Sequence, residues 1–196
     1  IDRFIYEYYG NRLNNRYNEY MKLNGISRAS TAYRNCTPGK CNIDFAKEVF
    51  EFIAKSKSAY VFVGDFSKFF DNLDHKYLKN KIKNVIGENT LDEADYAIYK
   101  NITKFAYIEA DDIELEKGLL RRDMRKLDKY FETEEFREFK KKYLQKNNKD
   151  YQIPQGSSIS AVYANVYMID FDKKINDYVT THSGIYRRYC DDIIIV

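Results

Sequence analysis

The stretch "YRRYCDDIIIV", residues 186–196, decides the reading. A tyrosine-rich segment meets two adjacent aspartates, and a run of isoleucine follows. "GIYRRY" and "DDIIIV" predict two β-strands around a tight turn at Cys190 and Asp191. Asp191 and Asp192 repel each other there, and burying either is costly without a partner. The hairpin therefore asks for a compensating charge.

Upstream, "AYVFVGDF", residues 59–66, is β-branched and aromatic between "KSKS" and a charge cluster. It predicts a buried β-strand that ends in Asp65. "SKFFDNLDHKYLKNKIKNVI" then predicts a helix, with Ser67 near its start. In "IPQGSSISAVYANVYMIDFDKKINDYV", Pro154 and Gly156 exclude helix, and Ser157 or Ser158 caps a long helix after them. Ser160, Ala161 and Ala164 put small side chains on one side of that helix, leaving room for a neighbouring helix or a flat ligand. The opening segment "IDRFIYEYYGNRLNNRYNEYMK" places Ile5, Tyr9, Leu13, Tyr17 and Met21 on one helical face. A polar loop, "SRASTAYRNCTPGKCN", leads to the helix "IDFAKEVFEFIAK", with Asn42 as its expected N-cap. Residues 91–149 read as mostly helical. The sum is an α+β chain, one small antiparallel sheet backed by helices.

Of the 196 residues, 44% are apolar, enough for a sizeable core, and 32% are charged, which excludes a disordered chain. No apolar run approaches the roughly 20 residues of a membrane span. Net charge is only +3, so no basic field announces nucleic acid. The stretch 121–149, with "RRDMRK" and "FKKKYLQK", interleaves its bases with acids and reads as a solvated helix face. Cys36, Cys41 and Cys190 are an odd set with no signal peptide visible, which points to free thiols in a reducing, cytoplasmic setting. Cys36 and Cys41 lack a partner pair at zinc spacing, and His75 and His182 are isolated. The opening "IDRFIYEYYG" has no initiator methionine, and the chain reads as an internal piece.

Asp65 ends one strand, and Asp191 and Asp192 sit at a hairpin turn. If those strands are neighbours, the carboxylates converge at one sheet edge. Hard divalent cations with oxygen ligands resolve such a convergence, Mg²⁺ being the usual one. A pair of such ions is the device of polymerases and nucleases. Taken one at a time, each aspartate is equally at home as a turn or cap residue.

Three segments, in order, resemble the palm motifs of reverse transcriptases: "DFSKFFDNLDH", "PQGSSIS" and the Tyr-X-Asp-Asp hairpin "YCDD". The upstream "STAYRNCTPGKCNIDFAKEVFEFI" resembles the bacterial branch, the group II intron, retron and phage-defence enzymes. There Tyr33, Arg34 and Lys40 stand in for a Phe-Arg and a basic residue, and Ala32 replaces a glycine. The resemblance implies a polymerase palm over 59–196 with a helical insertion at about 80–150, and partial fingers over 1–58. It places the late palm strands, the thumb and a general-acid lysine past Val196. The early finger motifs are not recognisable in residues 1–27, so this piece alone is expected to fold without turning over.

The implied activity is RNA-directed DNA synthesis, nucleotidyl transfer from a dNTP to a primer 3′-hydroxyl with two Mg²⁺ ions, or Mn²⁺ in their place. Asp65 and Asp191 would ligand the metals with Asp192 in support, and the Phe66 carbonyl would complete one shell. Phe70 matches the aromatic gate under the sugar that selects deoxynucleotides; on physical grounds alone it is equally a core aromatic, and Asp71 lies one residue away. Gln155, Gly156 and Arg34 would meet the incoming nucleotide. Tyr189, Cys190, Ser157 and Lys40 would meet primer or template, although Cys190 also reads as a small buried thiol and Arg34 and Lys40 as solvated loop bases. The implied partners are an RNA template, a DNA or RNA primer, dNTPs and a cognate structured RNA, with no membrane. Template-independent DNA synthesis in phage defence and a non-catalytic RNA-binding scaffold are the alternatives.

Overall fold

The computed structural model describes residues 2–36 and 39–196. Ile1 of the opening segment and Thr37 and Pro38 of the polar loop lie outside the described residues. The elements run α1 (Asp2–Leu23), α2 (Asn42–Lys55), β1 (Phe62–Asp65), α3 (His75–Ile86), α4 (Glu93–Thr103), β2 (Ala106–Tyr107), α5 (Ala110–Lys117), α6 (Arg121–Met124), α7 (Thr133–Tyr143), β3 (Gln145–Lys146), α8 (Ser158–Tyr167), α9 (Ile169–Thr181), β4 (Tyr186–Tyr189) and β5 (Asp192–Ile195). They fall into two compact units, residues 1–103 with 150–196, and Lys104–Lys149. Of the stretch 80–150 expected as an insertion, the part up to Thr103 belongs to the larger unit and Lys104–Lys149 forms the smaller one.

The larger unit is built around α8. Ile159, Ser160 and Val162–Val166 of this helix are buried, and α1 and α3 pack against it. α1 presents Leu13, Tyr17 and Met21 inward, as its period predicts, while Ile5 is exposed. Gly10 of α1 stands so near that a Cβ there would lie 3.5 Å from the Ile159 Cα. Ser160 and Ala164 on the small-residue side of α8 are buried. The long helix expected after Pro154 is interrupted at Met168, which separates α8 from α9.

Three local expectations are corrected. The helix expected from Ser67 starts only at His75, because Lys68 takes φ 53° and residues 70–72 form a 3₁₀ turn. Asp74 then caps α3, its carboxylate accepting from the Tyr77 N–H at 2.6 Å. For α2 the N-cap is Cys41 rather than Asn42; its N–H donates to the Asp44 carboxylate at 2.7 Å. The strand ending at Asp65 is not buried: Val63 is 69% exposed at one edge of the sheet β1-β5-β4, whereas β4 at the other edge is covered. Composition marks the strand, but only its neighbours decide burial.

The sheet is antiparallel throughout. β5 is central, pairing Phe62↔Ile195 and Asp65↔Asp192 on one side, and Tyr186↔Ile195 and Tyr189↔Asp192 on the other. Beneath the hairpin lies a fully buried ion pair. The Arg188 Nε and one terminal nitrogen donate to the two Asp172 oxygens, each at 2.7 Å, with no exposure of either side chain. The other terminal nitrogen donates to the Cys190 carbonyl at 2.7 Å and to Asn165 Oδ1 at 3.2 Å. Tyr186 donates its hydroxyl to Asp172 at 2.7 Å. Burial by itself would lower the Arg188 pKa, but the Asp172 carboxylate outweighs it and pushes the guanidinium up.

The unit Lys104–Lys149 has a core of its own. β2 and β3 form a two-stranded antiparallel ladder, absent from the helical expectation. Met124 and Phe139 are buried, Phe131 stacks on Phe139 at 4.4 Å, and the Lys117 ammonium sits 4.2 Å over the Phe131 ring. The charges of "RRDMRK" pair locally: Arg121 with Asp111 and Glu114, Lys126 with Asp123.

Removing one partner of the buried pair leaves the other charge stranded. Asp172→Ala is expected to lose about 3–5 kcal/mol of stability in urea unfolding. Lys173→Ala, which breaks the exposed Lys173–Asp177 pair, should change it by less than about 0.5 kcal/mol. Equal effects would contradict this account.

Candidate active site

The hairpin turn is made by Cys190, which holds φ at 59°. Its carbonyl is tied down by Arg188 from below. The next carbonyl, of Asp191, accepts from the Phe66 N–H at 3.1 Å. That bond continues the register in which Asp65 faces Asp192. The backbone therefore brings Asp65–Phe66 against Asp191–Asp192, two segments that lie far apart in the chain.

Asp65 and Asp192 are exposed, and Asp191 is half-buried. No ion pair or hydrogen bond to a basic side chain engages Asp65, Asp191 or Asp192 among the described residues. Also among them, no three His, Cys, Asp or Glu side chains close into a ready cation shell. The donor set, three carboxylates plus the Phe66 carbonyl, is all oxygen, which suits a hard divalent cation rather than zinc. The observed feature is the backbone register that brings these two acidic segments together.

Beside the hairpin opens a cleft of about 1110 Å³. Its lining brings together Phe70, Gln155, Gly156, Ser157 and Tyr189 with Arg34 and Lys40. Phe70 faces the cleft, while Asp71 is drawn aside to accept from Gln152 Nε2 at 3.1 Å. Gly156 adopts φ 98°, a conformation that side chains disfavour. Ser157 Oγ and Ser160 Oγ are buried without a partner among the described residues, and both residues line the cleft.

Two expected binding residues also have structural partners or burial of their own. Arg34, which lines the cleft, donates from Nε to Asn18 Oδ1 at 2.7 Å and from a terminal nitrogen to the carbonyls of Ser27 and, at 3.0 Å, Ser30. A guanidinium engaged this way staples its own loop. Cys190 is buried and does not line the cleft. Burial first, and then the Asp191 carboxylate, pushes its thiol up to about 11. It is a protonated packing group at neutral pH.

Residues that the sequence reading passed over complete the site from behind. The Thr31 N–H and hydroxyl both donate to the Arg188 carbonyl, at 2.9 and 3.0 Å, and the Arg188 N–H donates to the Ala29 carbonyl at 2.7 Å. Loop 29–34 is thereby laced onto β4. Asn165 supports both sides, donating to the Ala32 carbonyl at 2.9 Å and accepting from Ser30 Oγ at 3.1 Å. A signal existed for Asp172: it lies on the apolar face of its helix between Ile169 and Val179. Arg188 shares the inward strand face with Tyr186 and Cys190.

No family model matches this chain, and no curated protein does. Solved structures do. The apo telomerase of Candida tropicalis aligns at TM-score 0.53 and 15% identity, over 94% of this chain and 30% of that one. A C-terminally truncated form of the same enzyme gives 0.50 and 15%, over 94% and 32%. The telomerase of Candida albicans, in complex with a TWJ fragment of telomeric RNA, gives 0.53 and 13%, over 95% and 29%. The chain spans about a third of the length of these structures. The fold is reverse-transcriptase-like, an α+β arrangement with a small antiparallel sheet. No helix among the described residues is long and apolar enough to cross a membrane.

Thiol labelling tests the site's packing. Cys36 and Cys41 are exposed, and Cys190 is buried. Iodoacetamide at mildly alkaline pH should modify two thiols quickly and the third only when urea unfolds the chain. A third fast thiol would contradict the packing of the turn.

Proposed function

We propose that this chain is the palm-containing part of an RNA-directed DNA polymerase of the bacterial branch, catalysing nucleotidyl transfer from a dNTP to a primer 3′-hydroxyl. The observation that carries this reading is the backbone register that brings Asp65 and Phe66 against Asp191 and Asp192, next to a cleft lined by Phe70, Gln155, Gly156 and Tyr189. The telomerase likeness supports the fold, and the RNA in the Candida albicans complex supports RNA as a partner class.

Asp65, Asp191 and Asp192, with the Phe66 carbonyl, would hold two Mg²⁺ ions, or Mn²⁺. When bound, these would supply Lewis-acid activation of the primer hydroxyl and neutralise charge on the leaving pyrophosphate. The chain's own residues do the rest. Gln155 and Gly156 orient the nucleotide on the cleft wall, where glycine lets the backbone come close. Phe70 closes the space beside the sugar, and a ring there leaves no room for a 2′-hydroxyl. Tyr189 flanks the primer end, and Ser157 and Lys40 meet the nucleic-acid backbone. The biological setting belongs to intron mobility, retron DNA production or phage defence, in a bacterial cytoplasm.

One observation favours a non-catalytic RNA-binding scaffold instead: the acidic side chains do not close into a cation shell among the described residues. Primer extension on an RNA template with Mg²⁺, carried out with the full-length gene product, separates the two. Asp191→Ala and Asp65→Ala should each reduce extension by at least about 100-fold while circular dichroism is unchanged. RNA binding with no extension by wild type or variants would favour the scaffold. Extension without any template would point to untemplated synthesis.

Phe70→Ala gives a second test. It should raise incorporation of ribonucleotides relative to deoxynucleotides by roughly 10-fold or more, the scale of about 1–3 kcal/mol for steric discrimination. An unchanged ratio would remove the gate.

A further inference from the structure

We propose that Tyr33 and Tyr189 form a nucleobase-stacking notch at the mouth of the cleft, which receives the base of the nucleotide held beside Asp191. This rests on the polymerase reading, in which that base is the 3′-terminal base of the primer, and it adds Tyr33 to the site.

Tyr33 is a bulky residue in the left-handed region, at φ 57°. Glycine or asparagine would take that backbone at lower cost. Such strain persists only where surrounding structure over-determines it, and here it does. Asn14 Nδ2 donates to the Tyr33 carbonyl at 2.7 Å. On one side Thr31 is bonded to Arg188, and on the other Arg34 and Asn35 are bonded to Asn18. The loop is fixed to α1 and to β4 at once.

The strained backbone has one visible consequence. It projects a phenol ring, 52% exposed, into the cleft opposite Tyr189, itself 42% exposed. The ring centroids are 6.4 Å apart and the planes are inclined by 40°. That spacing lies within the ordinary range of a tilted aromatic pair, and the exposure of both residues leaves ring surface open to a base. Tyr189 faces Asp192 across the β4–β5 ladder, so the notch is registered to the carboxylates. A core aromatic would be buried, and a plain turn residue would not be aromatic. A flat, sequence-tolerant π-surface beside phosphate-handling groups is what base stacking requires.

The test is a fluorescence titration of the protein with RNA–DNA primer–template, the primer ending either in a normal nucleotide or in an abasic sugar. Wild type should bind the base-bearing end more tightly, by about 5- to 150-fold. Tyr33→Ala and Tyr33→Asn should abolish that preference without weakening the abasic complex. Asparagine suits the left-handed backbone and so keeps the loop. Tyr33→Phe should preserve the preference. The notch is overturned if discrimination survives Tyr33→Asn, or if both complexes weaken equally, which would make Tyr33 a loop-shaping residue alone. Tight binding by wild type with no preference overturns the notch and leaves the polymerase reading intact. No binding of any primer–template by wild type overturns both.

Discussion

Two opposite charges with no access to water stand at the centre of this structure. Arg188 and Asp172 are wholly buried, and their pairing is bidentate. Removing such ions from water costs several kcal/mol each, so the pair is poor evidence for stability as such. Its geometry is more informative. A guanidinium is a rigid fork of donors, and here it ties together three elements: Asp172 on α9, Asn165 on α8 and the Cys190 carbonyl in the hairpin turn. Tyr186 adds a further donor to the same carboxylate, and burial together with that carboxylate pushes its phenol far up, so it stays protonated. A hydrophobic replacement could fill this volume, but it could not fix the turn's carbonyl in direction.

That direction propagates. With the Cys190 carbonyl held, the turn takes its left-handed residue, and the following carbonyl points to the Phe66 N–H. Asp65 and Asp192 then face each other across the ladder. The arrangement separates two jobs. A buried charge pair sets the frame, and the exposed carboxylates at its rim remain without a basic partner among the described residues. Preorganisation from a supporting shell is the general requirement for a site of this kind. Loop 29–34 is bound to the same frame through Thr31 and Asn165, so the cleft wall and the hairpin share one support.

How much of this the sequence discloses follows from range. The hairpin was legible because a two-residue turn between strands has a local signature. The start of α8 was legible because proline and glycine exclude helix before it. α1 was legible from its period at Leu13, Tyr17 and Met21. The start of α3 was not, since Ser67 and Asp74 are both acceptable caps and only the 3₁₀ turn at Phe70–Asn72 decides between them. The exposure of β1 was not, because a β-branched run reads alike at an edge and at a centre. The Arg188–Asp172 pair stayed hidden because charged residues are assigned to water by default, and the inward strand position of Arg188 matters only once α9 lies beneath it. Arg34 shows the same limit from the other side. Its position in the motif suggested a phosphate contact, and nothing local announced that it would also hold the Ser27 and Ser30 carbonyls of its own loop.

The charges around the cleft bear on the proposed reading as a whole. Among the described residues, the ionic side chains lining the cleft are Asp2, Arg3, Glu7, Arg34 and Lys40. The partners of Arg34 at Asn18, Ser27 and Ser30 are neutral, so its charge remains, and three cations stand against two carboxylates. The lining is close to neutral, and the hairpin beside it is acidic. If the proposed reading holds, nucleotide affinity would draw little on a basic field. It would come from hydrogen bonds and stacking on the cleft wall together with cations held by the aspartates. Cation and nucleotide would then be thermodynamically linked, each raising the affinity for the other by the same factor. The modest net charge of the chain and the acidic hairpin, which look discouraging for a nucleic-acid enzyme when taken separately, would be two sides of that linkage.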